Sequence, residues 1–297
     1  MTTFAQMCDS TLLYLHGFTT MQDQTTYLTS AIDADDLTFT VHNAANISTG
    51  IVEIDSELLW VESVDSTSNT VTIAPYGRGF RGTTAASHGV HSRVVTSPLF
   101  PRTLVKQVIN EAILSVYPEL FGVAETNITY NPAVLTYALP SGAQQVLQVS
   151  WQSVGPTREW MPVRRWRLDR HAATTSFASG VALSVYDTIV PGRAIRVVYT
   201  KQPTLLSSDS DTFTTITGLP QSTEDVIRLG AAYRLVPFFD APHLSGASAE
   251  ADFSSNMRPV GGSSQLGRYL LQMYQLRLQE ESRRLQELYP VRSHYTR

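Results

Sequence analysis

Hydrophobic and polar positions follow two different periods along the chain, and the changes of period divide it into segments. Residues 2–18 place apolar side chains three or four positions apart, which predicts a short N-terminal helix. The Thr- and Gln-rich stretch 19–29 has no period and is expected to be a linker. Between 37 and 95, short apolar runs are separated by Gly, Asn, Asp and Ser. This pattern predicts a small β barrel or sandwich.

Helical spacing returns after the proline-bounded segment 97–101. Apolar positions from Leu104 to Leu120 form one broad face, which predicts a helix with Pro101 in its first turn and Gly122 as its stop. Residues 133–200 return to short apolar runs with Gly and Pro between them. We therefore expect about five strands of a second antiparallel β domain.

Two further helices are predicted after the Ser-, Thr- and Asp-rich crossover 205–220. Residues 222–225 read Ser-Thr-Glu-Asp and resemble a capping box that begins a helix, and Pro237 should end or kink that helix. The final helical segment runs from Gln265 to Tyr289. The predicted fold class is α+β: a helical bundle carrying an inserted antiparallel β-sandwich, plus a small N-terminal β-barrel-like module.

This order of elements also predicts domain boundaries. The ends of the inserted sandwich, near Phe121 and Pro220, must lie close together if the helices on either side are to pack into one core. The expected parts are an N-terminal helix 1–18, a β module 30–97, a helical bundle from 98–122 and 218–289, an inserted sandwich 130–204 and a C-terminal tail 290–297.

The last predicted helix changes character along its length. Its front half is apolar on more than one side, whereas its back half keeps a single seam, formed by Leu271, Tyr274, Leu278, Glu281, Leu285 and Leu288. A helix that is apolar all round is buried, and one with a narrow stripe lies on a surface. Two interpretations stay open: a helix wholly on its own core, or a helix that starts in its domain and leaves it. The charge of Glu281 on the seam suggests that the seam is half exposed or pairs with an Arg of a neighbour.

Composition and charge narrow the classes of protein that are possible. The chain is 42% hydrophobic, yet it has no run of 18 apolar residues and no secretory signal pattern, so neither a membrane helix nor export is expected. The single Cys8 excludes an internal disulfide. From Arg258 onward, seven Arg and three Glu give +4, whereas the preceding 257 residues hold 15 basic and 23 acidic groups, or −8. This asymmetry predicts a C-terminal end that meets an acidic partner, either a protein or a nucleic acid.

The sequence motifs do not indicate catalysis. The glycine-bearing segment from Tyr76 to His88 lacks Gly-Lys-Ser or Gly-Lys-Thr and is followed by a predicted strand, so it is predicted to be a structural loop. His88 and His91 lie three apart on extended chain and point to opposite faces, so no metal site is predicted. Without a nucleophile elbow or a zinc-protease motif, we expect no enzyme, no catalytic residue and no cofactor.

One cluster of aromatic and basic residues allows two interpretations. It contains Trp151, Trp160 and Trp166 with Arg158, Arg164, Arg165, Arg167 and Arg170. Interleaved Trp and Arg can stack on bases or sugars. They can also be the two faces of one strand, and the alternation of Arg165, Trp166 and Arg167 favours that interpretation.

Three stretches, taken in order, resemble the head-to-tail adaptor (connector) proteins of tailed bacteriophages. The first runs from Pro101 to Phe121, with Asn-Glu-Ala in its middle and Tyr-Pro near its end. The second joins Tyr-Thr-Lys-Gln-Pro at 199–203 to the segment 218–235, and the third is the Arg- and Gln-rich final helix. Separately, Gly-Ile-Val-Glu-Ile at 50–54 and the segment 76–88 resemble a β module of phage virion proteins with the pattern "RG..GT.A..H".

The resemblance implies a structural virion protein of the neck, made in the bacterial host cytoplasm without contact with a membrane. It implies a homo-oligomeric ring, typically of twelve subunits, which binds the portal protein on one side and a tail-side neck or tail terminator protein on the other. DNA would pass through the channel without specific binding. The residues expected to dock into the portal are Arg277, Arg283, Arg284, Leu285, Leu288, Tyr289, Arg292, Tyr295 and Arg297. The alternatives are another tail or baseplate structural protein, or a carbohydrate-binding module that uses the three Trp.

Overall fold

A computed structural model describes residues 2–17, 23–155, 158–239 and 262–290. Among them, no helix combines the length and the apolar character needed to span a membrane. The helices are α1 (Phe4–His16), α2 (Arg102–Ser115), α3 (Phe213–Thr217), α4 (Glu224–Leu235) and α5 (Gly262–Leu288). Short 3₁₀ turns at Gln221–Thr223 and Val236–Phe239 flank α4, so the helix ends just before Pro237, as predicted.

Thirteen strands within these residues form three antiparallel sheets, which confirms the α+β class. They are β1 (Gln24–Tyr27), β2 (Thr38–Thr40), β3 (Gly50–Ile54), β4 (Glu57–Asp65), β5 (Thr70–Ile73), β6 (Arg93–Thr96), β7 (Gly122–Thr129), β8 (Thr136–Ala138), β9 (Gln145–Gln152), β10 (Trp160–Pro162), β11 (Trp166–Asp169), β12 (Ala182–Val185) and β13 (Ala194–Lys201). The sheet orders are β1-β6-β3-β4-β5-β2, β10-β9-β13-β7 and β11-β12-β8.

The chain divides into two compact units. The barrel unit contains Phe4–Glu111 and Arg228–Leu271, and the two-sheet unit contains Met1–Thr3, Ala112–Ile227 and Gln272–Arg297. The boundaries between these ranges fall inside α2, α4 and α5.

The six-stranded sheet of the barrel unit is a partly closed barrel. Its two edges meet where the amide of Thr29 donates to the carbonyl of Thr40 (3.0 Å) and the amide of His42 donates to that of Tyr27 (2.9 Å). Alternate strand residues point inward, as expected from period-two patterning. The core residues on β3, β4 and β5 are Val52, Ile54, Leu59, Val61, Val71 and Ile73.

Strand β1 lies in the stretch predicted to be a linker, so that prediction was wrong for Gln24–Tyr27. Its sequence is Gln-Thr-Thr-Tyr, and Thr26 alone among these residues is buried. Because β1 is an edge strand that pairs within the sheet with β6, its stability comes from backbone hydrogen bonds rather than from an apolar pattern.

In the two-sheet unit, the four-stranded and three-stranded sheets contribute to one hydrophobic core. Val146, Ile195 and Val197 come from the first sheet, and Leu183 and Val185 come from the second. The Trp- and Arg-rich segment 160–169 contains two short strands, β10 and β11. The more specific arrangement, a helical bundle that carries a sandwich, stays a prediction.

The sequence prediction was also wrong at the end of α2 and the start of the first sheet. The helix ends at Ser115 rather than near Leu120, because Pro118 has no amide hydrogen and disfavours helical geometry at the residue before it. The next strand, β7, was not predicted. It is a largely polar edge strand whose partner in the sheet is β13, so it has no regular apolar alternation.

The start and the end of the segment predicted to be inserted lie side by side, as the sequence required. A Cβ built on Gly218 would be 3.7 Å from the Cα of Gly122 and 3.1 Å from Cε of Lys201. The φ angle of Gly218 is +73°, in the left-handed region that glycine accepts most readily. The lysine stem therefore packs on two glycines where the chain enters and leaves these strands.

Candidate docking surface at the end of helix α5

Helix α5 spans 27 residues, and its composition explains its length. It is rich in Leu, Gln, Arg and Glu, which are strong helix formers. The amide of Tyr289 donates to the carbonyl of Leu285 at 3.0 Å, and Pro290 follows. The helix therefore ends where a proline would break it.

The buried positions of α5 lie mostly along the predicted seam. They are Leu270, Tyr274, Glu281, Ser282 and Leu285, whose spacing is close to the helical period. The expectation that the front half is buried on several sides was wrong in part, since Tyr269 is 53% exposed and Leu276 is 56% exposed. Leu288 continues the seam but is 65% exposed. The buried stripe thus ends at Leu285, and the apolar positions beyond it face solvent.

An ion network fixes α5 against the first turn of α4 within the two-sheet unit. Nε of Arg277 donates to Oδ2 of Asp225 at 2.7 Å, and its other nitrogens donate to Glu280 and Glu281. These hydrogen bonds, the one to Asp225 foremost, hold the pKa of Arg277 above its ordinary value. Ser222 completes the network by donating to Oε2 of Glu281 at 2.6 Å.

The network gives Glu281 partners within its own chain. This residue is buried, and it pairs with Arg277 at 3.3 Å and lies 3.8 Å from Arg284, both on its own helix. Glu281 therefore has ion-pair partners on its own helix, and the seam as a whole is exposed at Leu288. Spacing alone did not reveal these contacts, because Ser222 reaches Glu281 and Asp225 reaches Arg277 only in the folded protein.

The residues expected to dock into the portal have different environments. Arg277 is engaged within the chain, and Leu285 is 4% exposed. Arg292, Tyr295 and Arg297 lie outside the described residues. The residues that remain exposed form what we call the helix-end patch: Arg283, Arg284, Leu288 and Tyr289.

The helix-end patch joins charge to apolar surface. Arg284 and Leu288 are four residues apart and therefore share one side of α5. The side chain of Arg284 is 64% exposed, and Tyr289 is 38% exposed. Exposed Leu and Tyr beside Arg is a composition typical of protein interfaces.

The cluster of Trp and Arg follows the strand interpretation. Trp166 and Leu168 on β11 pack against the core, whereas Arg165 and Arg167 between and beside them are exposed. The Trp160 ring is covered by the guanidinium of Arg196, whose Cζ lies 3.8 Å from the ring centroid. Trp151, Trp160 and Trp166 are thus all partly buried, and one face of Trp160 is occupied by Arg196.

The loop from Tyr76 to His88 is structural, as predicted, and its anchor is Glu57. This carboxylate accepts hydrogen bonds from Nε and Nη2 of Arg78 (2.8 and 3.0 Å), Nε2 of His88 (2.9 Å) and the amides of Gly79 and Ala86. Nδ1 of His88 lies 2.8 Å from Asp55. We call Asp55, Glu57, Arg78 and His88 the Glu57 clip.

The clip shifts the pKa of two of its members strongly. Burial raises the pKa of Glu57, but the hydrogen bonds from His88 and Arg78 outweigh this effect and bring it to about 2. Burial lowers the pKa of His88, but hydrogen bonds to Asp55 and Glu57 raise it to about 9. Both residues are therefore charged at neutral pH. Among the described residues, no group of three or more His, Cys, Asp or Glu has the arrangement of a metal site.

Sequence reasoning missed the role of Glu57. The only signal was the pattern that contains Arg78, Gly79 and His88, because each of these residues contacts the same carboxylate. The pattern thus marks a buried ionic anchor in this chain.

These features define a protein of helices and antiparallel sheets that exposes a basic and apolar helix end. A family model described as SU10 adaptor protein matches residues 91–281, well over half of the chain. A comparison with curated proteins gave no match. The chain belongs to the SU10 adaptor protein family, and the resemblance to phage head-to-tail adaptors is confirmed. It is a structural phage protein of the type found at the virion neck.

Proposed function

We propose that this protein forms the adaptor ring that binds the portal and joins the DNA-filled capsid to the tail. Family membership supports the role in the neck, and the family resemblance implies twelve copies in the ring. The proposed arrangement is a helical bundle that carries the two-sheet domain as an inserted sandwich. A tail-side neck or tail terminator protein would bind the opposite side of the ring.

The helix-end patch is the observation that carries the proposal for portal binding. Arg277 and Glu281 hold α5 by contacts inside the chain, which leaves the last turn of the helix as the presented part. The helix end exposes Leu288 and Tyr289 together with Arg283, Arg284 and one acid, Glu287, and it leads into the tail 290–297. Burying about one exposed Leu contributes roughly 1.5–3 kcal/mol. Repeated around a ring, a contact of this size gives strong overall attachment.

The distribution of charge is compatible with a conduit for DNA. The 257 residues before Arg258 carry a net charge of −8. A negative surface does not neutralise phosphates and does not attract the duplex. We therefore propose that DNA passes the ring without specific binding and that the basic end of the chain is used for the portal.

The test is Leu288→Asp, combined with sedimentation of purified protein with portal-bearing capsids that lack a neck. Because Leu288 is 65% exposed, the variant should fold normally, with an unchanged circular dichroism spectrum and Tm. We expect the bound amount to fall at least tenfold, since a charge would replace an apolar contact in each copy.

The matched control is Leu13→Asp, which makes the same change at a residue on α1 that is 74% exposed. It should bind as the unaltered protein does. Normal loading of Leu288→Asp would show that the helix end does not dock into the portal.

A further inference from the structure

The outer face of the three-stranded sheet in the two-sheet unit is defined by the register of its strands. Residues that lie directly opposite each other on antiparallel strands share one face. Arg167 on β11 is opposite Ser184 on β12, which is in turn opposite Thr136 on β8. Just beyond the strands, the amide of Tyr186 donates to the carbonyl of Arg165 at 2.9 Å. This pair extends the same face by one more row, because it lies two positions further along each strand.

The side chains of this face combine positive charge with an aromatic ring. Arg167 is exposed, the side chain of Arg165 is 66% exposed, and Tyr186 is 41% exposed. Beside them, the hydroxyl oxygens of Thr136 and Ser184 lie 2.9 Å apart on two small side chains. We call these five residues the sheet face. Tyr and Arg are among the residues that contribute most often to binding at protein interfaces.

The Arg of this segment are not explained by contacts inside the chain. Arg165 pairs with Asp187 at 3.1 Å, and the same carboxylate accepts the amides of Arg164 and Arg165, which fixes the segment in place. Arg167 and Arg170 have no ion-pair partner within the part of the chain that the structure describes.

Protection of an exposed sheet edge does not explain them either. Charged side chains on an edge strand do prevent unwanted pairing with other strands. However, β8, the opposite edge of the same sheet, reads Thr-Tyr-Ala and carries no charge. The positive charge is therefore confined to one edge, and it is left for another molecule.

The two β domains of one chain have opposite charge. Residues 122–204 contain seven Arg and one Lys against four Asp and Glu, a net charge of +4. Residues 23–97 contain nine Asp and Glu against three Arg, a net charge of −6. The second domain of one copy is thus electrostatically complementary to the first domain of another.

The acidic domain also offers a surface of matching chemistry, residues 33–37, which we call the acidic loop. Its sequence is Asp-Ala-Asp-Asp-Leu, all five residues are exposed, and Leu37 is 43% exposed. Arg78 donates to the carbonyls of Asp33 and Asp36 at 2.6 and 2.9 Å, and the amide of Ile73 donates to that of Leu37 at 2.7 Å. A loop that is already ordered loses little conformational entropy on binding.

We propose that the sheet face of one copy binds the acidic loop of the next copy. Arg165 and Arg167 pair with carboxylates of the loop, and Leu37 packs on the ring of Tyr186. A DNA duplex would satisfy the Arg but would leave Tyr186 and the acidic loop without a role. A contact between two different patches of one chain is head-to-tail, the type of interface that closes into a ring. The inference rests on the proposed ring-forming function and names the surfaces that join neighbouring copies.

The experiment joins the two surfaces by a short bismaleimide cross-linker and leaves every charge in place. Ala34→Cys lies in the acidic loop, and Ser184→Cys lies on the sheet face; the natural Cys8 is buried. Full-length protein with both changes is bound to portal-bearing capsids, treated with the reagent and examined by denaturing electrophoresis. We expect a ladder of covalent dimers, trimers and longer products, because each copy contacts two neighbours.

The matched control combines Ala34→Cys with Asn127→Cys, an exposed position on β7 of the other sheet in the same unit. This pair should give at least tenfold less of the ladder. Capsid-bound protein whose two pairs give equal products, or products that stop at a dimer, would overturn the inference and leave portal binding intact. Protein that does not sediment with the capsids would overturn both the inference and the proposed function.

A charge exchange tests the pairing itself. In the Ala34→Cys, Ser184→Cys background, Arg167→Glu should reduce the ladder at least tenfold, and adding Asp35→Arg should restore most of it. Arg167→Lys should retain the ladder. If Arg167→Glu leaves the ladder unchanged but weakens retention of a labelled DNA duplex, the Arg serve nucleic acid and the inference is wrong.

Discussion

The Glu57 clip allows a stability prediction with a magnitude. In Glu57→Gln the side chain keeps its shape but loses its charge. An NH₂ group also replaces one oxygen that accepts hydrogen bonds, so some of the surrounding donors lose their acceptor. Glu57 is 1% exposed, so the surrounding water screens its interactions little. A pKa lowered from the ordinary 4.5 to about 2 corresponds to about 3 kcal/mol of stabilisation of the ionised carboxylate. We expect the free energy of unfolding to fall by about this amount.

The effect should be concentrated in the barrel unit, which has about 150 residues. For a unit of this size, 3 kcal/mol corresponds to a decrease in Tm of roughly 6–12 °C. Urea and thermal unfolding followed by circular dichroism give the overall change, and hydrogen exchange of the amides in 76–88 locates it.

The matched control is Glu62→Gln, which makes the same substitution at an exposed position of the same strand. It should change the free energy of unfolding by less than about 0.5 kcal/mol. If Glu57→Gln behaves like this control, or if the amides of 76–88 keep their protection from exchange, the clip does not stabilise the loop.

The same clip predicts how the difference in free energy of unfolding between the unaltered protein and Glu57→Gln depends on pH. The folded-state pKa of Glu57 is lowered, so its contribution is present above pH 4.5 and is lost as the pH falls towards 2. The folded-state pKa of His88 is raised, so the stability that His88 contributes is present below pH 6.5 and is lost as the pH rises through about 9. The difference should therefore be largest between pH 4.5 and 6.5. The two shifts share one hydrogen bond, so their energies are not added.

Two further predictions concern stability. Burial raises the pKa of Glu53 to about 7. The free energy of unfolding should therefore fall by roughly 3 kcal/mol as the pH rises from 4.5 through 7. Urea unfolding at several pH values should show that Glu53→Gln removes this dependence. A pH dependence unchanged by the substitution would contradict this assignment. Gly218→Ala should lower the free energy of unfolding by about 1–2 kcal/mol, because φ is +73° and the new methyl group has little space. The control Gly142→Ala, with open space around the new methyl group, should have little effect. Equal stabilities of these two glycine variants would show that the packing at Gly218 is not tight.

The sequence predicted the parts of the fold whose hydrophobic period is strong. Helices α2, α4 and α5 and the inner strands of the barrel have such a period, because one face of each is buried. Strands β1 and β7 were missed because edge strands pair on one side and tolerate polar side chains. The end of α2 was placed too late because its apolar spacing continues to Leu120, beyond the point where Pro118 stops the helix.

The candidate sites were predictable to different extents. The sequence predicted both Leu288 and Tyr289 as docking residues. Their exposure follows from their position at the end of the helix, where its apolar side is reduced to a single row of residues. Engagement of Arg277 and Glu281 did not follow, because Asp225 on α4 and Ser222 in the preceding 3₁₀ turn are more than 50 positions away in the chain. The same holds for Glu57, since His88 is 31 positions away and reaches it only through the folded loop.

The most direct test of the central claim is an electron cryo-microscopy reconstruction of portal-bearing capsids that have bound this protein. We expect a ring of copies against the portal, with the last turn of α5 and the following tail in contact with portal subunits. Leu288 and Tyr289 should lie in that contact. Density at the tail tip or baseplate, or a ring whose α5 ends point away from the portal, would contradict the account.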